Sequence, residues 1–355
     1  MSTQVQVFPL AQIQHLTLAQ CIRAEQHIEP VAPLICLLTD TSLLLDSKCQ
    51  SLVQAEACKE YAQAPDNNGE IELIVFEDIT LDQLVRLVKT CALTISHLNA
   101  INQRNNAVSY RFAVKTEDAN SARQQLASFA LAEKLEAAIT HRAPKLSEPG
   151  VLVMDMDSTT IEIECIDEIA ALAGVGEQVA AVTELAMQGE LDFAQSLHQR
   201  VATLENAPVG ILAEVAKDIP LMTGLKPLLK ELKKHDWRVA IASGGFTYFA
   251  DHLKQELELD AAYANTLEII DGKLTGKVQG EVVDAEVKAQ SLDKLSKLFD
   301  IPIQQTVAMG DGANDLKMMA AAHLGVAYKA KPIVLKKADT AINFSGLDCL
   351  LHWLG

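Results

Sequence analysis

The rhythm of apolar and polar positions changes near residue 150. Beyond it, short apolar runs alternate with stretches whose apolar residues recur every three or four positions. The runs at 151–155 (VLVMD), 238–243 (RVAIAS), 306–311 (TVAMGD) and 325–328 (GVAY) read as strands. Residues 224–235, 246–257, 284–299 and 315–323 read as helices, and 267–279 as a hairpin turning at Asp271 and Gly272. Residues 164–220 carry helical spacing alone, and the chain end beyond 328 is read as helical. Strands separated by helices predict βαβ units and a parallel sheet. Ligands of such sheets gather beyond the C-terminal strand ends, which singles out the residues at those ends: Asp155, Ser243 and Asp311.

The first half has a different order. Strand-like runs at 70–77, 97–103, 108–115 and 137–142 enclose helical stretches at 81–93 and 119–134. This βαββαβ order predicts a small ferredoxin-like α+β sandwich. A further apolar run at 32–40 (APLICLLTD) has no assignable partner. The stretch 142–150 (RAPKLSEPG), with two prolines and a glycine, reads as a linker. Three segments are therefore expected: 1–68 unassigned, 69–145 α+β, and 146–355 α/β with a helical insertion at about 164–222.

Composition narrows the function classes. The formal net charge is −17, which argues against non-specific nucleic-acid binding and against docking on anionic membranes. An anionic substrate would need a local source of positive charge. The cysteines at 21, 36, 49, 58, 91, 165 and 349 form no CxxC pair, so they read as free thiols of a reducing compartment. The N-terminus, MSTQVQVFPL, lacks the charged and apolar regions of a signal peptide, and no apolar run reaches about 18 residues. A cytoplasmic protein is the expectation.

The strand-end residues form a chemically coherent set. An aspartate carboxylate is ionised at neutral pH and can attack phosphorus when the phosphoryl group is held in line. Asp157, two residues beyond Asp155, falls on the same side of an extended strand. It can protonate a leaving alkoxide and then take a proton from water. Two carboxylates facing a phosphate require a divalent cation, and oxygen ligands favour Mg2+. Asp311 can supply another ligand, Lys288 a point charge, and Ser243, Gly244 and Gly245, expected to open a helix, a hydroxyl and amides for phosphate oxygens. Singly, a DxD pair, an SGG turn, a helix lysine and a GDGAND loop each have an ordinary structural explanation. In this order, at successive strand ends, they point to one site.

The motifs DMDSTTIEIECIDEIA, GELDFAQSLHQRV, VAIASGGF, YANTLEIIDGKLTG and VAMGDGANDLKMM resemble, in order over roughly 150–345, the haloacid dehalogenase (HAD) superfamily of aspartate-nucleophile phosphotransferases, and within it the branch that hydrolyses phosphoserine. That resemblance implies an α/β fold: a HAD-like Rossmannoid parallel sheet with a small helical cap. It implies that Asp155 forms an aspartyl-phosphate and that Asp157 is the acid/base, its main-chain carbonyl joining Asp155 and Asp311 as metal ligands for Mg2+. Ser243, Gly244 and Lys288 would bind phosphate, Asn314 would contact substrate or phosphate, and Asp315 would support the metal or Lys288. In the cap, Glu164 would pair the substrate ammonium and Arg200 its carboxylate. The implied partner is a small molecule, phosphoserine, with neither nucleic acid nor membrane. The first half resembles ACT-type modules in element order alone, which implies either a dimer-forming role, giving a homodimer, or amino-acid sensing.

Overall fold

The structure, a computed structural model, describes residues 6–20, 34–38, 42–46, 71–187 and 190–355. The chain forms two compact units. The first comprises 1–143 with the C-terminal segments 339–345 and 349–355, and the second comprises 144–338 with 346–348. The expected second domain, 146–355, therefore ends earlier than its sequence pattern implies.

In the first unit the expected βαββαβ order is present as β4 (Ile71–Phe76), α1 (Leu81–Thr90), β5 (Thr94–Arg104), β6 (Ala107–Lys115), α2 (Ala119–Glu133) and β7 (Glu136–His141). Both helices start where the sequence offers a cap. Thr80 and Gln83 form a reciprocal capping box, and the Asp118 side chain accepts from the Asn120 and Ser121 amides. The strand order β7–β4–β6–β5 is that of a ferredoxin-like sheet, antiparallel throughout. The run at 32–40, which has no assignable partner in sequence, supplies β2 (Leu34–Leu38). It pairs with β5 and with β3 (Ser42–Asp46), and β3 pairs with β1 (Gln6–Pro9), so the sheet continues past the ferredoxin-like edge. The cysteines at 21, 49 and 58 lie outside the described residues, whereas Cys91, Cys165 and Cys349 are buried and form no disulfide. The helical end expected beyond 328 is realised only as short helices, Pro332–Leu335 and Leu350–Trp353, either side of a short strand, Thr340–Ile342.

The second unit is built on β8 (Val151–Met154), β9 (Arg238–Phe246), β10 (Ala261–Ile270), β11 (Lys273–Gln279), β12 (Thr306–Gly310) and β13 (Leu324–Tyr328). Its strands run in the order β11–β10–β9–β8–β12–β13, parallel except for the β10–β11 hairpin. Every residue of β8, β12 and β13 is buried, as a sheet covered on both faces demands. Between β8 and β9 lie α3 (Cys165–Ala173), α4 (Gly176–Met187), α5 (Phe193–Ala202), α6 (Gly210–Ala216) and α7 (Leu225–Lys234). The first four fill the expected cap and α7 leads into β9. Later helices are α8 (Thr247–Leu257), α9 (Ala285–Leu298) and α10 (Leu316–Ala321). The linker is fastened to this unit: Gln305 accepts from the Lys145 amide (2.6 Å) and donates to the Lys145 and Glu148 carbonyls, while the Trp237 indole donates to the Leu146 carbonyl.

Candidate active site

A cleft of about 270 Å³ opens beyond the C-terminal ends of β8, β9, β12 and β13. Asp155, the first residue past β8, is held by its backbone, its amide donating to the Met309 carbonyl (2.9 Å). Its carboxylate is fixed at both oxygens. Oδ1 accepts the Met156 amide (2.7 Å); Oδ2 meets Lys288 Nζ (2.7 Å) and lies 3.5 Å from Asn314 Nδ2. Immediately beyond, the chain turns sharply. Ser158 adopts a left-handed φ of 55°, and the Thr160 and Ile161 amides return to the Met156 carbonyl. The buried Thr160 hydroxyl donates to the Asp155 carbonyl (2.6 Å), closing the turn.

That turn carries Asp157 into the cleft, where its Oδ1 accepts the Cys165 amide (3.3 Å) at the start of α3. Burial, with the neighbouring charges of Glu164 and Asp155, pushes its carboxyl up to about 8. That shift favours the protonated form over a range in which an ordinary aspartate is ionised. Asp311, past β12, is pushed up to about 6 by burial and by Asp155. Asp315 is fully buried: its Oδ1 takes Lys288 Nζ (2.7 Å) and its Oδ2 the Gly312 amide (3.0 Å). Burial acts to strip the proton from Lys288, which is 1% exposed, but Asp155 and Asp315 outweigh that and hold the ammonium above the ordinary lysine range.

One oxygen from each of Asp155, Asp311 and Asp315 lies within 4.8 Å of the others. This all-oxygen set fits a hard divalent cation. Both oxygens of Asp155 and of Asp315 already have donors, so Asp311 is the freest ligand of the set. The Asp157 side chain is not a member of the set.

Ser243 and Gly244 do not open a helix, as their sequence suggests. They are still strand, near the end of β9, and α8 begins only at Thr247. Their amides thus belong to an extended strand end and not to a helix N-terminus. Ser243 Oγ accepts the Gly245 amide (2.9 Å). A Cβ at position 244 would lie 2.4 Å from the Phe193 ring of the cap, so any larger residue there has to displace that ring.

The cap supplies Glu164 and Arg200 to the same cleft. Glu164 precedes α3 without capping it and accepts the Ser158 hydroxyl (2.7 Å); burial raises its carboxyl. Arg200 sits in the last turn of α5. Burial lowers its pKa, and its Nε is buried without a hydrogen-bond partner among the described residues. All eleven residues singled out in the sequence thus meet at this site: Lys288 and Asp315 lie beneath the floor and the other nine line it. Sequence reasoning misses Lys331, Asp167 and Phe193, which also line the cleft. Lys331 could have been found, because it lies just past β13, a fourth strand end to which the same rule applies.

The haloacid dehalogenase-like hydrolase family profile matches residues 150–323. Over 221 residues the chain is 59% identical to the phosphoserine phosphatase of Vibrio cholerae, spanning 61% of this chain and 67% of that one. A crystal structure described as a probable phosphoserine phosphatase from Vibrio cholerae, unliganded, superposes with a TM-score of 0.66 at 48% identity, covering 80% of this chain and 86% of that one. A substrate-bound phosphoserine phosphatase complex gives 0.56 at 41% identity, covering 59% and 99%.

Proposed function

We infer, for a chain that belongs to the phosphoserine phosphatases among the haloacid dehalogenase-like hydrolases, that this cleft hydrolyses O-phospho-L-serine to L-serine and phosphate, the last step in making serine from a phosphorylated precursor. The observation that carries the reading is the contrast between two aspartates two residues apart. Asp155 faces the Lys288 ammonium at 2.7 Å, whereas the Asp157 carboxyl is pushed up to about 8 by burial and by its acidic neighbours. Environments that separate two like groups in this way assign one as nucleophile and the other as acid.

Asp155 forms a bond to phosphorus as the bond from phosphorus to the serine Oγ breaks, and the Asp157 proton goes to that oxygen. Asp157, now a carboxylate, takes a proton from the water that attacks the aspartyl-phosphate, which releases phosphate and restores both residues. Lys288, Ser243, Gly244 and Asn314 hold the phosphoryl oxygens, and Asp315 fixes Lys288 between the two carboxylates. Magnesium held by Asp155, Asp311 and the Asp157 main chain would neutralise charge between carboxylates and phosphate. In the cap, Glu164 pairs the substrate ammonium. The buried, unpartnered Nε of Arg200 supports its pairing with the substrate carboxylate. Glu164 and Arg200 together are what favour an amino-acid phosphate over a sugar phosphate. No described helix is long and apolar enough to cross a membrane. The buried cysteines, which form no disulfide, support a cytoplasmic location. Dimer formation through the ACT-like unit stays in this reading on element order alone.

Phosphate release from L-phosphoserine and a panel of sugar and nucleoside monophosphates, with magnesium and with EDTA, tests it. Asp155→Asn is expected to lower kcat by at least about a thousandfold, in line with loss of a covalent nucleophile. Glu164→Gln is expected to act mainly on KM for phosphoserine. Near-normal turnover by Asp155→Asn, or a strong preference for a sugar phosphate, would overturn the reading.

A further inference from the structure

The cleft has a charge imbalance that its phosphate-holding residues leave unresolved. Five carboxyls line it: Asp155, Asp157, Glu164, Asp167 and Asp311. The substrate to be admitted carries a phosphoryl dianion. Of the cations at the site, Lys288 is fully buried and bonded to two carboxylates at 2.7 Å each, so its charge is already matched. Arg200 belongs to the cap. Lys331 is different. It is exposed at the cleft wall, and among the described residues its ammonium has neither a hydrogen bond nor an ion pair.

Its backbone, by contrast, is firmly placed. The Lys331 amide donates to the Asp311 carbonyl (3.1 Å), tying the loop after β13 to the loop after β12. Pro332 comes next, at the first position of the short helix Pro332–Leu335, and Lys331 itself is extended at φ −63° and ψ 151°. The side chain therefore leaves from a fixed point beside the phosphate end of the cleft. Its charge reaches both Asp311 and Glu164, favouring the ionised form of each. A flexible, strongly hydrated point charge on a rigid anchor is suited to meeting an anion that arrives from solvent.

We propose that Lys331 is a further substrate-binding residue, supplying the mobile countercharge that draws the phosphoryl dianion into an acidic cleft and holds it there. This rests on the phosphatase reading of the site. The side chain touches neither the nucleophile nor the acid, so its contribution falls on binding and not on the chemical step. A charge-assisted contact to phosphate corresponds to about tenfold in affinity.

The test uses the full-length protein with saturating magnesium, as wild type, Lys331→Met and Lys331→Arg. Inorganic phosphate binding is measured by calorimetry, and phosphoserine turnover at low and high salt. Expected for Lys331→Met are an approximately tenfold weaker phosphate affinity, a matching rise in KM, kcat within about twofold, and a flatter salt dependence of kcat/KM. Lys331→Arg should retain most of the affinity. Melting temperature should be unchanged in both, because the stapling amide is main chain. Phosphate affinity within twofold of wild type in Lys331→Met would overturn the proposal, as would a loss confined to magnesium affinity or an equal loss in Lys331→Arg. Because phosphate binding is read directly, a wild type that binds phosphate but does not hydrolyse phosphoserine refutes the substrate assignment while leaving the role of Lys331 decided by the variants.

Discussion

Asp315 shows how little freedom the phosphate end of the site has. Both of its oxygens are engaged, and it fixes the lysine that faces Asp155. Gly310 closes the last space beside it: a Cβ at 310 would lie 2.3 Å from the Asp315 Cγ and Oδ2. Gly310→Ala must therefore displace a buried, doubly bonded carboxylate. Overpacking of this kind costs about 1–3 kcal/mol, and the displaced Asp315 releases Lys288. We expect a lower urea midpoint together with a fall in kcat of at least about a hundredfold, measured on the same preparation. Retention of full kcat in a destabilised variant would show that the Asp315–Lys288 contact has no part in turnover. At this scale the sequence is most informative where chemistry sits at a strand end, as at Asp155, Ser243 and Asp311. Asp167 and Phe193 are illegible because a helix charge and a helix aromatic look the same in sequence whether they face solvent, core or a cleft. Their placement comes from how α3 and α5 fold back over the strand ends.

Elements are legible in proportion to how local their causes are. Four of the five parallel strands of the second unit, β8, β9, β12 and β13, are short apolar runs between helical stretches, and each starts within a residue of where that pattern predicts. The hairpin at 267–279 is equally plain, because Asp271 and Gly272 both take positive φ (50° and 74°), as a two-residue turn matched to strand twist requires. What the pattern hides is longer-range. β10 starts at Ala261, well before the expected hairpin, because its first residues pair in parallel with β9. β5 runs from Thr94 because Thr94 and Ile95 pair with Lys115 and Val114 at the end of β6. The hairpin also has a task beyond the sheet: Leu274 exchanges backbone hydrogen bonds with Asn206 and Ala207, and the Gly272 carbonyl accepts the Val209 amide, so the end of the cap is stitched to β11. No atom lies within 4 Å of a Cβ built at Gly272. Gly272→Ala therefore tests backbone conformation alone and should cost about 1 kcal/mol. Hydrogen exchange of the β10 and β11 amides should speed up in that variant while the amides of β8 and β12 keep their protection.

On the scale of the whole chain, the two units are not two consecutive lengths of sequence. Residues 339–345 and 349–355 return to the first unit, a long-range closure that no local pattern encodes. Glu136 at the head of β7 accepts the successive amides of Asn343, Phe344 and Ser345. Arg111, paired with Glu72 at 2.6 Å, donates to the carbonyls of His352 and Leu354, and Arg104 donates to those of Leu351 and Leu354. Within this closure His352 is 1% exposed, its ring between the Ser109 hydroxyl (2.9 Å) and the Arg104 carbonyl (3.1 Å), with Phe76 edge-on. Burial, with the charges of Arg104 and Arg111, pushes its pKa down to about 4. The unfolded chain, with an ordinary histidine near 6.5, then binds the proton more readily than the folded one between those values, so stability falls as pH drops through that window and levels off below about 4. The full effect is roughly 3 kcal/mol at most. Glu136, raised by burial, acts in the opposite sense above its ordinary range, so the test must be differential. In a Trp237→Phe background, where Trp353 alone reports, the urea midpoint should fall more between pH 7 and pH 5 with His352 than with His352→Gln, which keeps polar contacts but does not titrate. Equal falls in the two would mean that the proton is not excluded by this closure, and that the C-terminal segment is held by its arginine and glutamate contacts alone.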